Sequence, residues 1–210
     1  METLAVIDFE TTGLYPQYGD RATEIAIMLV RDGEIVDRYQ SLMNAGVRID
    51  GFITSLTGIT NQMIREAPPA ERVMREAAAF VGDYPLVAHN ASFDRGFWDA
   101  ELARIGRSRC QEFACSMLVA RRVLPEAPNH KLGTLIAYAG LPVTGDYHRA
   151  EADAEMAAHL TTHLAAQLMQ RFRLDAVPHA LLMHIQKAAR HRLPQCIEGY
   201  CWRCASSANR

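Results

Sequence analysis

A short apolar run opens the chain from Leu4 to Asp8, and such a run, rich in β-branched residues and bounded by polar ones, predicts a buried strand. Thr11-Thr12-Gly13 breaks it. Two more apolar runs, Glu24 to Val30 and Glu34 to Leu42, flank Arg31-Asp32-Gly33, and Asp-Gly between such runs predicts a hairpin. Together the three predict a meander at the start of the domain. From Asn44 to Thr60 glycine, threonine and isolated apolar residues mix without a period, which predicts irregular chain. Asn61 is placed to cap a short helix that must stop before Pro68-Pro69, because a residue preceding proline disfavours the helical region. Val73, Ala77, Phe80 and Val81 recur at helical spacing and predict a helix over Ala70 to Val81. A brief strand, Leu86 to Ala88, precedes a helix whose apolar face includes Phe97, Leu102 and Ile105. Helices follow over Met117 to Val123 and Leu132 to Tyr138, the second with Gly140 as its C-terminal cap. The longest helix runs from Glu151 to about Phe172.

Three strand-like runs followed by helix–strand–helix units predict an α/β sandwich with a mixed sheet. The texture changes after Arg173. Pro178 precedes a helix predicted over Leu181 to Arg190, and the cysteine- and arginine-bearing tail beyond it has no clear pattern. This divides the 210 residues into a main domain, 1–173, and a C-terminal helical extension and tail, 174–210. Composition adds that 49% of residues are hydrophobic and 22% charged, the balance of an ordinary globular protein able to bury a core without disulfides. The net charge of −2 lacks the global basic signature of a tight duplex binder. Contact with nucleic acid must then use a local patch, or cations held at an acidic site. No signal peptide pattern opens the sequence and no stretch reaches the length of a membrane helix. The five cysteines do not form a secreted framework. The expected address is the cytoplasm, with no membrane contact.

Asp8 and Glu10 are the first chemical anomaly. Residues two apart on a strand share a face, so both carboxylates project together from the end of an apolar run. They form either a site for a hard divalent cation or a solvated strand terminus. His89-Asn90-Ala91-Ser92-Phe93-Asp94 follows the short strand Leu86–Ala88, where open α/β sheets place ligand groups; alternatively Ser92 or Asp94 caps the next helix. His148-Arg149-Ala150-Glu151-Ala152-Asp153 lies at the start of the longest helix. A five-residue gap is not a same-face pair within a helix, so His148 on the preceding loop and Asp153 in the first turns could converge on one site. The other reading is a capping Asp with an incidental surface His.

The ordered set Val-Ile-Asp-Phe-Glu-Thr-Thr-Gly, His-Asn-Ala-Ser-Phe-Asp and His-Arg-Ala-Glu-Ala-Asp-Ala resembles the three Exo motifs of the DEDDh 3′→5′ exonuclease superfamily, which includes the proofreading ε subunit of bacterial DNA polymerase III. The resemblance runs from about residue 3 to 170. It implies a ribonuclease H-like fold, a mixed five-stranded sheet flanked by helices. It also implies two Mg²⁺ or Mn²⁺ ions per active site. Asp8 would bridge both, Glu10 and Asp153 would complete one site, and Asp94 would support the second. His148 would be the general base, and its spacing from Asp153 is that of the histidine branch; Arg149 stands where the tyrosine branch has Tyr, and Tyr147 is out of register. Thr11, Thr12, Gly13 and Leu14 would contact the terminal nucleotide. Phe93 would do so by stacking, or else serve the core.

The expected function is therefore metal-dependent 3′→5′ exonucleolysis that releases nucleoside 5′-monophosphates, with single-stranded DNA favoured as substrate. The alternatives are an exoribonuclease that trims RNA 3′ ends, a non-catalytic nucleic-acid-binding or polymerase-associated module, and a ribonuclease H-like endonuclease, which the histidine placement disfavours. The implied partners are nucleic-acid 3′ ends, and a DNA polymerase is a candidate. Since no polymerase or helicase sequence is present, the chain is expected to act alone or as a separate subunit. Two features count for less. His159 and His163 form an i, i+4 pair that reads as a solvated helix face. His191, Cys196, Cys201 and Cys204 could hold zinc, and Arg190, Arg192, Arg203 and Arg210 could meet phosphate, but a solvated tail is the plainer reading.

Overall fold

The computed structural model describes residues 2–143 and 148–208, with side chains through Trp202. Tyr147, Arg203, Cys204 and Arg210, all weighed above, lie outside the described residues or side chains.

Five strands form one sheet in the order β3-β2-β1-β4-β5. They are β1 (Leu4–Thr11), β2 (Ala22–Arg31), β3 (Glu34–Leu42), β4 (Leu86–Ala88) and β5 (Phe113–Cys115). The meander β1-β2-β3 is antiparallel, and β4 and β5 add in parallel to the far side of β1. The predicted hairpin is present, with Asp32 and Gly33 both in the left-handed region that a tight turn between strands requires. β1 runs three residues past Asp8, through Glu10 to Thr11, so its carboxylates sit within the strand.

Side-chain alternation sorts the core into two layers. Val6, Ala26, Met28, Val87 and Ala114 face one cluster with α5 (Ser116–Val123), α6 (Leu132–Tyr138) and α7 (Ala150–Phe172). Ala5, Ile7, Phe9, Ile25 and Ile27 face the other, with α3 (Ala70–Val81) and α4 (Ser92–Arg104). Asp8, Glu10 and Glu24 have the parity of the first set, so β1 and β2 aim them towards α7. α7 lays buried Ala150, Ala154, Ala157 and Ala158 against the sheet, and these small side chains let its backbone come close to β1 and β2.

Besides β5, which none of the apolar runs above predicts, three stretches differ from the sequence pattern. The segment expected to be irregular contains α1 (Gly51–Thr57), which Asp50 caps at its start by accepting from the Ile53 N–H, 2.9 Å, and which left-handed Gly58 ends. Phe52 and Leu56 on it are exposed, so no apolar stripe betrays it. The cap of α2 (Asn61–Glu66) is Thr60, whereas Asn61 clamps Ile49 through two hydrogen bonds of 2.8 and 2.9 Å. After Arg173, α8 (His179–Ile185) ends sooner than expected, and the Gln186 side chain just past it pairs with the edge of β5, accepting from the Cys115 N–H at 2.6 Å. Arg122 takes the Ala188 carbonyl with two donors, and the tail forms α9 (Leu193–Ala208). Among the described residues no helix is long and apolar enough to cross a membrane.

Candidate active site

β1 and β4 pair only over Ala5–Leu86 and Val6–Val87, then part. Their divergence frees the Phe9 N–H from the ladder, and it donates to Asp94 Oδ1 at 3.2 Å. Asp94 lies in the first turn of α4, almost fully buried at 2% exposure, and no side chain caps that helix. Ser92 is exposed rather than capping. Thus the acidic group that follows β4 is drawn across to the end of β1, beside half-buried Asp8 and buried Glu10.

Asp153 reaches the same place from α7. Its Oδ2 accepts from the His148 N–H at 3.1 Å, which ties the preceding loop to the first turn of the helix. His148 itself is exposed and has a φ of 65°, a left-handed backbone uncommon for a residue with a Cβ. The ligand atoms of Glu10, His148 and Asp153 all lie within 4.8 Å of one another, close enough to share a metal ion. No other such trio of His, Cys, Asp and Glu occurs among the described residues. His159 and His163 are half-buried on α7 and belong to no such group.

Electrostatics confirm how tightly the acids are gathered. Burial first, then the charges of Asp94, Asp153, Glu10 and Glu24, push the Asp8 carboxyl well above the usual range. Burial and the same kind of crowding lift Glu10 to about 8, against which only Arg149 works. Asp94 also rises to about 8, mainly through burial, while its hydrogen bonds from backbone N–H groups oppose the shift. Asp153 is raised by burial, with His148 opposing. Oxygen donors that resist ionising together are the chemistry a hard divalent cation relieves, so the group fits Mg²⁺ or Mn²⁺.

The loop after β1 is held firmly. The Thr12 N–H donates to the Arg21 carbonyl at 2.9 Å, and the Arg21 N–H returns a bond to Thr12 Oγ1 at 3.0 Å. Buried Arg21 makes a two-pronged pair with buried Glu101 of α4, at 2.8 and 3.0 Å. A Cβ on Gly13 would run into the Asp20 carboxylate, which would have to swing away from the Tyr15 N–H it accepts from. Thr11 is buried, Thr12 and Gly13 half-buried, and Leu14 projects with 65% of its surface exposed. Phe93 is half-buried and its ring lies 5.0 Å from that of Phe97, on the border of the core.

Sequence reasoning missed four charged residues here. Glu24 is fully buried and paired with Arg149, and Arg21 is paired with Glu101. Glu24 did carry a signal, as the lone carboxylate inside an otherwise apolar strand. Its partner lies 125 residues away in sequence and could not be read from spacing. His89, half-buried between Ser116 Oγ at 2.9 Å and the His130 carbonyl at 3.0 Å, is lowered to about 4 mainly by desolvation; a neutral ring with both nitrogens engaged braces the end of β4.

A family model described as Exonuclease (RNase_T) matches residues 5–161. The DNA polymerase III PolC-type of Bacillus cereus is 36% identical over 171 residues, which are 81% of this chain and 12% of that protein. The chain thus spans about an eighth of the length of this curated relative, 12%. A solved structure of exonuclease X in complex with 5′-overhanging duplex DNA superposes with a TM-score of 0.65 at 29% identity, over 82% of this chain and 95% of that one. The nuclease domain of 3′hExo, a DEDDh family member bound to rAMP, shares the fold with a TM-score of 0.68 at 18% identity, over 84% of this chain and 95% of that one. Fold and site together define a ribonuclease H-like nuclease. The chain belongs to the exonuclease family matched by the model.

Proposed function

We propose that the chain shortens single-stranded DNA from its free 3′ end, one nucleoside 5′-monophosphate at a time, with Asp8, Glu10, Asp94 and Asp153 holding two divalent cations, Mg²⁺ or Mn²⁺. The observation that carries this reading is the convergence of four carboxylates from β1, α4 and α7, Glu10 and Asp94 buried and Asp8 and Asp153 half-buried. Such a cation pair, when bound, stabilises charge on the attacking and departing oxygens of an in-line displacement at phosphorus.

The protein's own groups supply the rest. His148 stands exposed beside Glu10 and Asp153, and as a neutral imidazole it takes the proton from the attacking water. Its backbone N–H donates to Asp153 Oδ2, which ties the turn that carries the histidine to an acid that would hold a cation. Thr11 to Leu14 follow directly on Glu10, and the braced loop presents backbone and the exposed Leu14 to the terminal nucleotide. Phe93, at the border of the core, would meet the base from the other side.

DNA as the polymer is supported by the likeness to PolC-type DNA polymerases and to exonuclease X bound to duplex DNA. The PolC-type relatives alone support a DNA polymerase as partner. Matched DNA and RNA oligomers, single- and double-stranded, digested side by side decide the polymer. Single-stranded DNA should be shortened at least ~10-fold faster than RNA, since a site built around one sugar discriminates through the 2′-OH. Equal or faster loss of RNA would replace this reading with exoribonucleolysis.

A further inference from the structure

Glu24 is a fifth carboxylate on the face of the sheet that carries Asp8 and Glu10, directly opposite Glu10 in the β1–β2 register. It is fully buried. By residue type it is as good a cation ligand as its neighbours, yet its oxygens are already occupied. Oε1 accepts from Gln40 Nε2 at 2.5 Å and from Arg149 Nη2 at 2.9 Å. Oε2 accepts from Arg149 Nε at 3.2 Å and from the Ala150 N–H at 3.1 Å. Four donors on two oxygens leave little for a metal ion.

These donors belong, Gln40 aside, to the two residues that follow His148. Arg149 bridges the loop, and Ala150 is the first residue of α7, whose N–H has no partner within the helix. Arg149, at the N-cap position of α7, makes no side-chain cap of its own, and Glu24 fills that place from another strand. The turn needs such help. A histidine at φ 65° persists only where its surroundings over-determine it. Here one restraint is the His148 N–H on Asp153, and the other is the grip of Glu24 on Arg149 and Ala150.

We infer that Glu24 and Arg149 form a positioning pair that sets the His148 turn against the carboxylate cluster, binding neither cation nor substrate. The inference rests on His148 acting as the general base of the proposed reaction. A buried carboxylate that holds the loop behind an active residue is the kind of support whose removal costs ~10–100-fold in activity.

The test compares kcat and KM on a single-stranded oligonucleotide for wild type, Glu24→Gln, Arg149→Gln and Arg149→Lys, and for the first two again in a His148→Ala background. Glu24→Gln and Arg149→Gln should each lower kcat ~10-fold or more with KM within ~2-fold, both assayed well below the melting temperature, which loss of a buried ion pair lowers. Arg149→Lys, which keeps the charge without the two-pronged grip, should fall between. In the His148→Ala background neither change should lower the residual rate further, because the pair acts through that side chain. If Glu24→Gln fails to fold, Arg149→Gln alone decides, since its side chain is partly exposed. A kcat within ~2-fold of wild type for Arg149→Gln, or an equal loss with and without His148, overturns the inference. An inactive wild type, or an unimpaired His148→Ala, would strike the proposed function itself.

Discussion

Glu10 and Asp94 both hold their protons up to about pH 8, and the cause is the same at each: burial, with neighbouring carboxylates of like charge adding to it. The sign of the consequence follows. A carboxyl whose folded value lies above its unfolded one binds more protons when folded, so its contribution to stability is whole below about pH 4 and lost as pH rises to about 8. In EDTA the melting temperature should therefore fall between pH 5 and 8, and Mn²⁺ should restore it most at the alkaline end, where the acids are ready to bind. Differential scanning fluorimetry across that range checks it; a melting temperature that rises with pH in EDTA would contradict the crowding. At this scale the acidic set was legible because Asp8, Glu10, Asp94 and Asp153 recur in order with a histidine at fixed spacing. Glu24 and Arg149 were not, since a pair 125 residues apart has no spacing to read.

α7 carries Asp153 to β1 by being narrow. Ala154, next to that acid, is fully buried against the sheet, as are Ala150 and Ala157 nearby. Ala154→Leu adds volume where helix and sheet already touch and should cost about 1–3 kcal/mol of stability. It should also lower activity more than its melting shift explains, because pushing the helix away moves Asp153 from Glu10; urea melts with parallel assays would show both. Undiminished activity at reduced stability would mean that the helix packing does not set the site. The long helix was legible from its length and period. α1 was not, as Asp50 and Gly58 fix its ends while Phe52 and Leu56 face solvent and Ile53 alone of its large apolar residues packs inward. The bond between Gln186 and β5 was also hidden, because it is tertiary.

On the scale of the whole molecule, the mixed sheet with helices on both faces agrees with what the motif resemblance implied. We propose residues 1–173 as the exonuclease domain and 174–210 as an extension that completes its core. Leu181, Leu182, Ile185, Leu193 and Ile197 are buried in the same cluster as Val87 and Ala114. Burying five such side chains contributes on the order of 10 kcal/mol, comparable with the whole stability of a domain. A chain ending at Arg173 should thus show no cooperative melt, read by circular dichroism. A stable, active truncation would make the extension an independent appendage.

The reaction itself is tested most directly by one digestion. A 5′-labelled single-stranded DNA oligomer is followed over time with Mg²⁺ by wild type and His148→Ala, each with and without EDTA. Wild type with Mg²⁺ should give a ladder that shortens one nucleotide at a time from the 3′ end, at least ~100-fold faster than His148→Ala, as loss of a general base predicts. EDTA should stop it. Internal cuts, activity that survives EDTA, or a His148→Ala ladder as fast as wild type would contradict a metal-dependent 3′→5′ exonuclease built on these carboxylates and this histidine.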